Sequence, residues 1–190
     1  MYDIALSVAA CARSGTRADV AWMVSPIVSE EAVMFTPGGG RLGTLLNGAF
    51  DGLLADVAAR QLSTGRFIEH QVTELESAIC GLPEGSEVSF LVVPAAQFPA
   101  HAWQLLLDRE AVGISADIDS GEVTEIRVDS METATGVVEE MLIAGRPVAQ
   151  REDDGVLVVL APVTRLLVAG AGPIAQAIAR QGELLGWKCA

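Results

Sequence analysis

Between Gly38 and Gly52 the chain carries six of its 19 glycines. The surrounding segment, TPGGGRLGTLLNGAFDGLLADVAARQ over residues 36–61, reads as a loop that feeds directly into a helix. With no Cβ in the way, backbone N–H groups in such a loop can approach a ligand closely. Asn47 suits the N-cap, and Asp51 falls in the first helical turn, where a negative charge complements the dipole. Phe50, Leu53, Leu54, Val57, Ala58 and Leu62 share one apolar helical face, while Asp56 and Arg60 stand four apart on the polar side. A glycine loop entering a helix N-terminus is a ready anion site, and Arg41 lies inside the loop. A hairpin turn followed by a packing helix has the same pattern.

Apolar residues make up 51% of the 190, enough for a sizeable core and for one domain or one domain and the start of another. The formal charge is −13, from 25 acidic and 12 basic residues. That excess repels phosphate backbones and argues against nucleic acid as the main partner, yet permits a small anion held by backbone N–H groups. Cys11, Cys80 and Cys189 stand far apart without disulfide or metal spacing, as expected in a reducing compartment. No apolar run approaches the roughly 18 residues of a membrane span. The N-terminus lacks the leading basic cluster of a signal peptide. These features point to a cytoplasmic protein with no membrane partner.

In chain order, residues 2–12 predict a short helix, and 19–27 and 32–36 predict strands, the first ended by Ser25-Pro26. After the glycine segment, 66–73 reads as a strand and 74–86 as an acidic connection. Residues 87–94 (EVSFLVVP) are a strong strand, and a helix over 99–109 opens at Pro99. Residues 112–119 and 122–128 form a hairpin around Ser120-Gly121. Asp129 or Ser130 caps a helix that buries Met131, Ala134, Val137, Val138, Met141 and Leu142. Residues 148–155 read as a turn or edge and 156–162 as a buried strand.

The last segment changes character. Gly170, Gly172 and Ala175 match G-x-G-x-x-A, after an expected strand Leu166–Ala169 and before an expected helix Pro173–Leu185, the context of a dinucleotide fingerprint. The expected fold is therefore an α+β N-terminal domain over residues 1–163, followed by the opening βα unit of a Rossmann-type α/β domain over residues 164–190. One strand and one helix cannot bury their own faces. The chain is thus expected to be a piece of a longer protein or to be completed by a partner, and to self-associate as a homodimer.

No residue is assigned to catalysis or to a metal. Asp117, Asp119 and Glu122 around Gly121 fit a hairpin turn better than a calcium loop. His70 and His101 have no second ligand at metal spacing, and no G-x-S-x-G nucleophile signature occurs.

Taken together, the pattern resembles the XdhC/CoxI family, accessory proteins that mature molybdenum hydroxylases such as xanthine and carbon monoxide dehydrogenases. The family's G-S-x-S-G-G-C-x-E-G corresponds here to residues 43–52, where Gly43, Gly48 and Gly52 match, Asp51 stands for the acid and Ala49 replaces the cysteine. LLVAGAGPIAQAIARQGELLGW looks like the family's Rossmann opening, with Pro173 in place of its histidine. GLPEGSEVSFLVVP is a partial third match, with Glu84 where a cysteine stands and Ser86 where a glycine stands. The family's early G-S-x-P-R signature is missing.

The resemblance implies a chaperone that binds molybdenum cofactor (molybdopterin) and hands it to a molybdenum hydroxylase subunit, rather than a catalyst. On that basis Gly38, Gly39, Gly40, Arg41, Gly43, Asn47 and Gly48 would hold the pterin phosphate, and Asp51 a polar pterin edge. Gly170 and Gly172 would serve a nucleotide, NAD(P) being the possible second cofactor. Ala49 and Glu84 put sulfur-linked chemistry in doubt, since a thiolate is the nucleophile there. The alternatives are an NAD(P)-binding oxidoreductase and a non-catalytic scaffold or regulatory relative.

Overall fold

A computed structural model describes the chain except for residues 29, 61, 62, 153, 163, 186 and 190. After a 3-10 turn at Tyr2–Ile4 comes helix α1 (Ala5–Ser14), then strands β1 (Asp19–Ser25), β2 (Ala32–Thr36) and β3 (Gly40–Thr44). A short turn at Leu46–Gly48 leads to α2 (Asp51–Ala59), β4 (Gly65–Gln71), α3 (Glu74–Cys80) and β5 (Glu87–Pro94). Then follow α4 (Ala102–Leu107), β6 (Val112–Asp119), β7 (Glu122–Ser130), α5 (Val137–Ile143), β8 (Val148–Glu152) and β9 (Gly155–Leu160). The final elements are β10 (Arg165–Leu166), α6 (Pro173–Leu184) and β11 (Lys188–Cys189).

β1 to β9 make one nine-stranded sheet in the order β3-β2-β1-β5-β4-β7-β6-β9-β8. Its pairings are all antiparallel. The side-chain period of two sends alternate residues to opposite faces. On the first face Val20, Trp22 and Val24 of β1 join Leu91 and Val93 of β5 and Ile114 of β6, beneath α1 and α4. On the second face Ala21 and Met23 join Val33, Phe35, Phe90 and Val92, beneath Phe50 and α2. Helices on both faces explain why β1 and β5 read as continuous apolar runs rather than alternating ones. The far end of the sheet coils over the first face. Ala149 of β8 packs against that core, and Arg151 pairs with Glu69 of β4 and lies 4.8 Å from the Phe67 ring centroid.

The expected fold is corrected. Among the described residues the chain forms a single nine-stranded antiparallel sheet with six α-helices, not an α+β domain followed by a Rossmann unit. The parallel pair β10–β11 has only two residues per strand. The expected strand Leu166–Ala169 stops at Leu166, and Leu167 is 82% exposed. A Rossmann-type fold is built on a many-stranded parallel sheet, whereas the described residues pair only these two short parallel strands. The G-x-G-x-x-A pattern marks the extended Gly172 and the Pro173 start of α6.

Other expectations shift locally. Residues 40–44, read as loop, are strand β3 paired with β2. The acidic connection contains α3, whose capping box joins Thr73 and Glu76. The helix expected from residue 130 begins only at Val137, after Gly136 at φ +61°. Met131 and Val137 are therefore exposed, not buried. Leu62, expected on the α2 face, lies outside the described residues. Among the described residues no helix is long and apolar enough to cross a membrane.

Candidate binding cleft at the glycine hairpin

β2 reverses into β3 through Pro37, Gly38 and Gly39, with the Gly39 N–H donating to the Thr36 carbonyl at 3.2 Å. Pro37 and Gly38 occupy the central positions of this turn. Gly38 at φ +97° and Gly39 at φ +85° hold left-handed backbone that only glycine adopts without strain. The turn leans toward α2 and leaves a cleft of about 620 Å³ between them. Its walls are the hairpin tip, Arg41, and the α2 side that carries Asp51, Gly52, Ala55 and Asp56. Small residues at positions 52, 55 and 59 keep the helix side of the cleft open.

Two arginine–aspartate pairs set its electrostatics. Arg41, half-exposed on β3, forms an ion pair with Asp51 in the first turn of α2. Arg17 donates from Nε and Nη2 to the two carboxylate oxygens of Asp19 at 3.0 and 3.1 Å. Asp19 opens β1 and is 2% exposed. A carboxylate that deep is tolerable only when paired. The Asp51 carboxylate is incompletely satisfied: its Oδ1 is buried and has no hydrogen-bond partner.

Behind Asp51 lies the turn Leu46–Gly48, where Leu46, Asn47 and Gly48 all have positive φ (48°, 57° and 81°). Glu31 accepts the Leu46 N–H at 3.1 Å, and the Asn47 amide donates to the Ile79 carbonyl of α3 at 3.4 Å. Asn47 is thus no N-cap; Phe50 occupies that position without a side-chain cap. A Cβ on Gly48 would stand 2.6 Å from Asp51 Oδ2, so the glycine is needed for close approach.

Of the residues singled out in the sequence, Gly38, Gly39, Arg41 and Asp51 line the cleft together. Gly48 backs onto Asp51. Gly40 pairs with Thr36 at the hairpin base. Gly43 packs near the Ile4 side chain, where a Cβ would come within 2.8 Å. Gly170 and Gly172 are exposed and lie at the approach to α6, outside the lining of the cleft. Ala49 packs with the second-face core. Arg17, Asp19 and Asp56 were not foreseen as site residues. Arg17-x-Asp19 before an apolar strand was the available signal, but spacing alone did not say that it would reach the hairpin.

His70 of β4 and Glu76 of α3 form a hydrogen-bonded pair. His70 Nε2 lies 3.0 and 2.9 Å from the Glu76 carboxylate oxygens, and the Thr73 N–H donates to Glu76 Oε2 at 2.8 Å. Burial pushes the Glu76 carboxyl upward, but hydrogen bonds from Thr73 and His70 outweigh it and hold the group below the usual carboxylate range. The His70 ring meets Phe50 edge-on at 5.9 Å, which ties this cluster to the start of α2.

No protein-family model matches the sequence, and no curated protein matches it. Among solved structures, the chain is similar to the crystal structure of a xanthine dehydrogenase from Bacillus halodurans, with a TM-score of 0.56 and 16% sequence identity. The likeness covers 100% of this chain and 61% of that one, so the chain spans less than two thirds of its neighbour's length. At this identity the likeness is one of fold.

Proposed function

We propose that the chain is an accessory factor that binds molybdenum cofactor and assists its insertion into a molybdenum hydroxylase of the xanthine or carbon monoxide dehydrogenase type. The observation that carries this is the cleft of about 620 Å³, which the glycine hairpin, Arg41 and Asp51 line together. That volume suits a small-molecule site. The donor set fits a pterin phosphate. Arg41 and the backbone around Gly38 and Gly39 would hold the phosphate. The Asp51 carboxylate, which lines the same cleft, would accept from the pterin's N–H edge. The cofactor, when bound, supplies the metal-centred redox chemistry of the hydroxylase that receives it. This chain's residues bind and orient, and Ala49 and Glu84 offer no thiolate for sulfur transfer. The fold-level likeness to a xanthine dehydrogenase supports the same context. The expected setting is the cytoplasm, with a hydroxylase subunit as partner and a homodimer as the working form.

Fluorescence titration with freshly released molybdopterin tests the assignment. Wild type is expected to bind, and an Arg41→Ala, Gly48→Val double variant to bind about tenfold or more weakly, the equivalent of one charge-assisted hydrogen bond. Equal binding by the variant would remove the cleft from consideration. Absence of binding by folded wild type would remove the function.

A further inference from the structure

We infer that the outer edge of β4 is a docking site for an extended, acidic segment of a partner protein, which adds to the sheet as a strand beside Glu69 and Gln71.

β4 pairs with β5 along Arg66–Gln71, but with β7 only at Gly65 and Arg66. The two strands are offset, so the β6–β7 turn ends opposite Phe67, whose N–H donates to the Gly121 carbonyl at 3.0 Å. Backbone groups of successive residues in a strand turn to opposite edges. Gly65 and Phe67 donate away from β5, so Glu69 and Gln71 direct their N–H and C=O groups to the same side, past the end of the hairpin. Among the described residues no strand meets them there, and both residues are exposed. The β7 side of the gap is treated differently. Gln97 accepts from the Gly65 N–H at 2.8 Å and donates to the Val123 carbonyl at 2.6 Å, and His101 donates to the Val128 carbonyl at 2.9 Å. Side chains thus serve the carbonyls of β7, while the far half of β4 stays open. A row of unpaired backbone groups is a template for a further strand.

What lies beside this edge selects the occupant. A groove of about 740 Å³ lies between β4 and α2. Leu53, Val57 and Arg60, at helical spacing on one side of α2, line it together with Arg66 and Ile68 of β4. A strand added about 4.8 Å from β4 turns every second side chain toward this groove, where apolar ones meet Leu53, Val57 and Ile68. Two guanidinium groups stand at its basic end. Arg66 is paired with Glu122, whereas the exposed Arg60 has no ion pair among the described residues. Glu69, the one carboxylate of the groove, is paired with Arg151. In a chain of formal charge −13 this is a local excess of positive charge, and it complements an acidic side chain. A second copy of the chain fits poorly. Its outermost strand β3 carries Arg41 and no acidic residue, and β8, at the opposite edge of the sheet, is held against its own β4 by Arg151 and Glu69. The occupant is therefore a segment of a different protein.

An amide-resolved NMR titration of the full chain tests this. The probe is a capped synthetic peptide of alternating valine and threonine with an aspartate at each end. At millimolar concentration it is expected to shift the Glu69 and Gln71 amides and to slow their exchange with solvent by about tenfold or more. Methylating one alternate set of peptide nitrogens is expected to weaken binding about tenfold, and methylating the other set to leave it unchanged, because only one set faces β4. Lysine in place of the aspartates, or Arg60→Glu in the protein, is expected to weaken binding about fivefold. The inference is overturned if the peptide leaves both amides unaffected, if the two methylated peptides bind alike, or if the lysine peptide binds as well as the aspartate peptide. Protection of the same amides that grows with protein concentration in the absence of peptide identifies a second copy as the occupant and overturns the acidic partner. The lysine peptide is tested on the unaltered chain, so the charge requirement is decided even if Arg60→Glu does not fold.

Discussion

At Gly48, φ is +81° and a Cβ would stand 2.6 Å from the Asp51 carboxylate. Gly48→Ala is expected to cost more than about 1 kcal/mol, through strained backbone as well as contact. A lower urea midpoint at unchanged slope would show it. Gly52, one residue past Asp51 in α2, makes the opposite case. It has no positive φ and nothing within 4 Å of an added Cβ. Gly52→Ala is expected to stabilise by roughly 0.5–1 kcal/mol, read as a raised midpoint in the same assay. Glu76 sets a pH dependence. Its folded pKa is depressed, so its contribution is fully present above the ordinary carboxylate value of about 4.3 and is lost as pH falls through the lower folded value. Glu76→Gln is expected to flatten the loss of stability on acidification in that window. Parallel curves for variant and wild type would refute this.

At the scale of elements, α2 is anchored by Phe50 and Leu54, which are 1% and 0% exposed against the second face of the sheet. Leu54→Ala is expected to cost about 2–5 kcal/mol, and because α2 forms one wall of the cleft, ligand affinity should fall with it. Calorimetric unfolding and binding on the same variant would check both. α3 shows why one element escaped the sequence. It is seven residues long and buries none of them fully, and Leu75 is 72% exposed, so its apolar positions carry no core-facing signature. The capping box Thr73-x-x-Glu76 was its legible mark. β3 escaped for a different reason: its glycines resemble a loop, and only pairing with β2 makes them a strand.

Across the whole molecule, β1 and β5 sit inside the sheet with cores on both faces, whereas α6 and the short β10–β11 pair expose Leu167, Ile174, Leu184 and Leu185. Local stability follows buried contact. Amides of β1 and β5 are expected to exchange with solvent slowest, and those of α6 fastest among the helices longer than ten residues or packed on the sheet. Native-state hydrogen exchange measures this, and comparable protection in α6 and β5 would contradict it. The same exposure explains the misreading of the chain's end. The fingerprint spacing reports a turn entering a helix, not how many parallel strands stand beside it.

By itself the sequence determined the apolar strands β2 and β5 and the hairpin at Ser120-Gly121. These depend on local periodicity and turn chemistry, which are properties of neighbouring residues. Only the tertiary structure decided that nine strands join one antiparallel sheet, that Arg17 and Asp19 reach the hairpin, and that Asp51 meets Arg41 with one oxygen left over. Those relations link residues from different strands and helices. They are set by sheet order and by which face each helix covers, and no spacing along the chain encodes them.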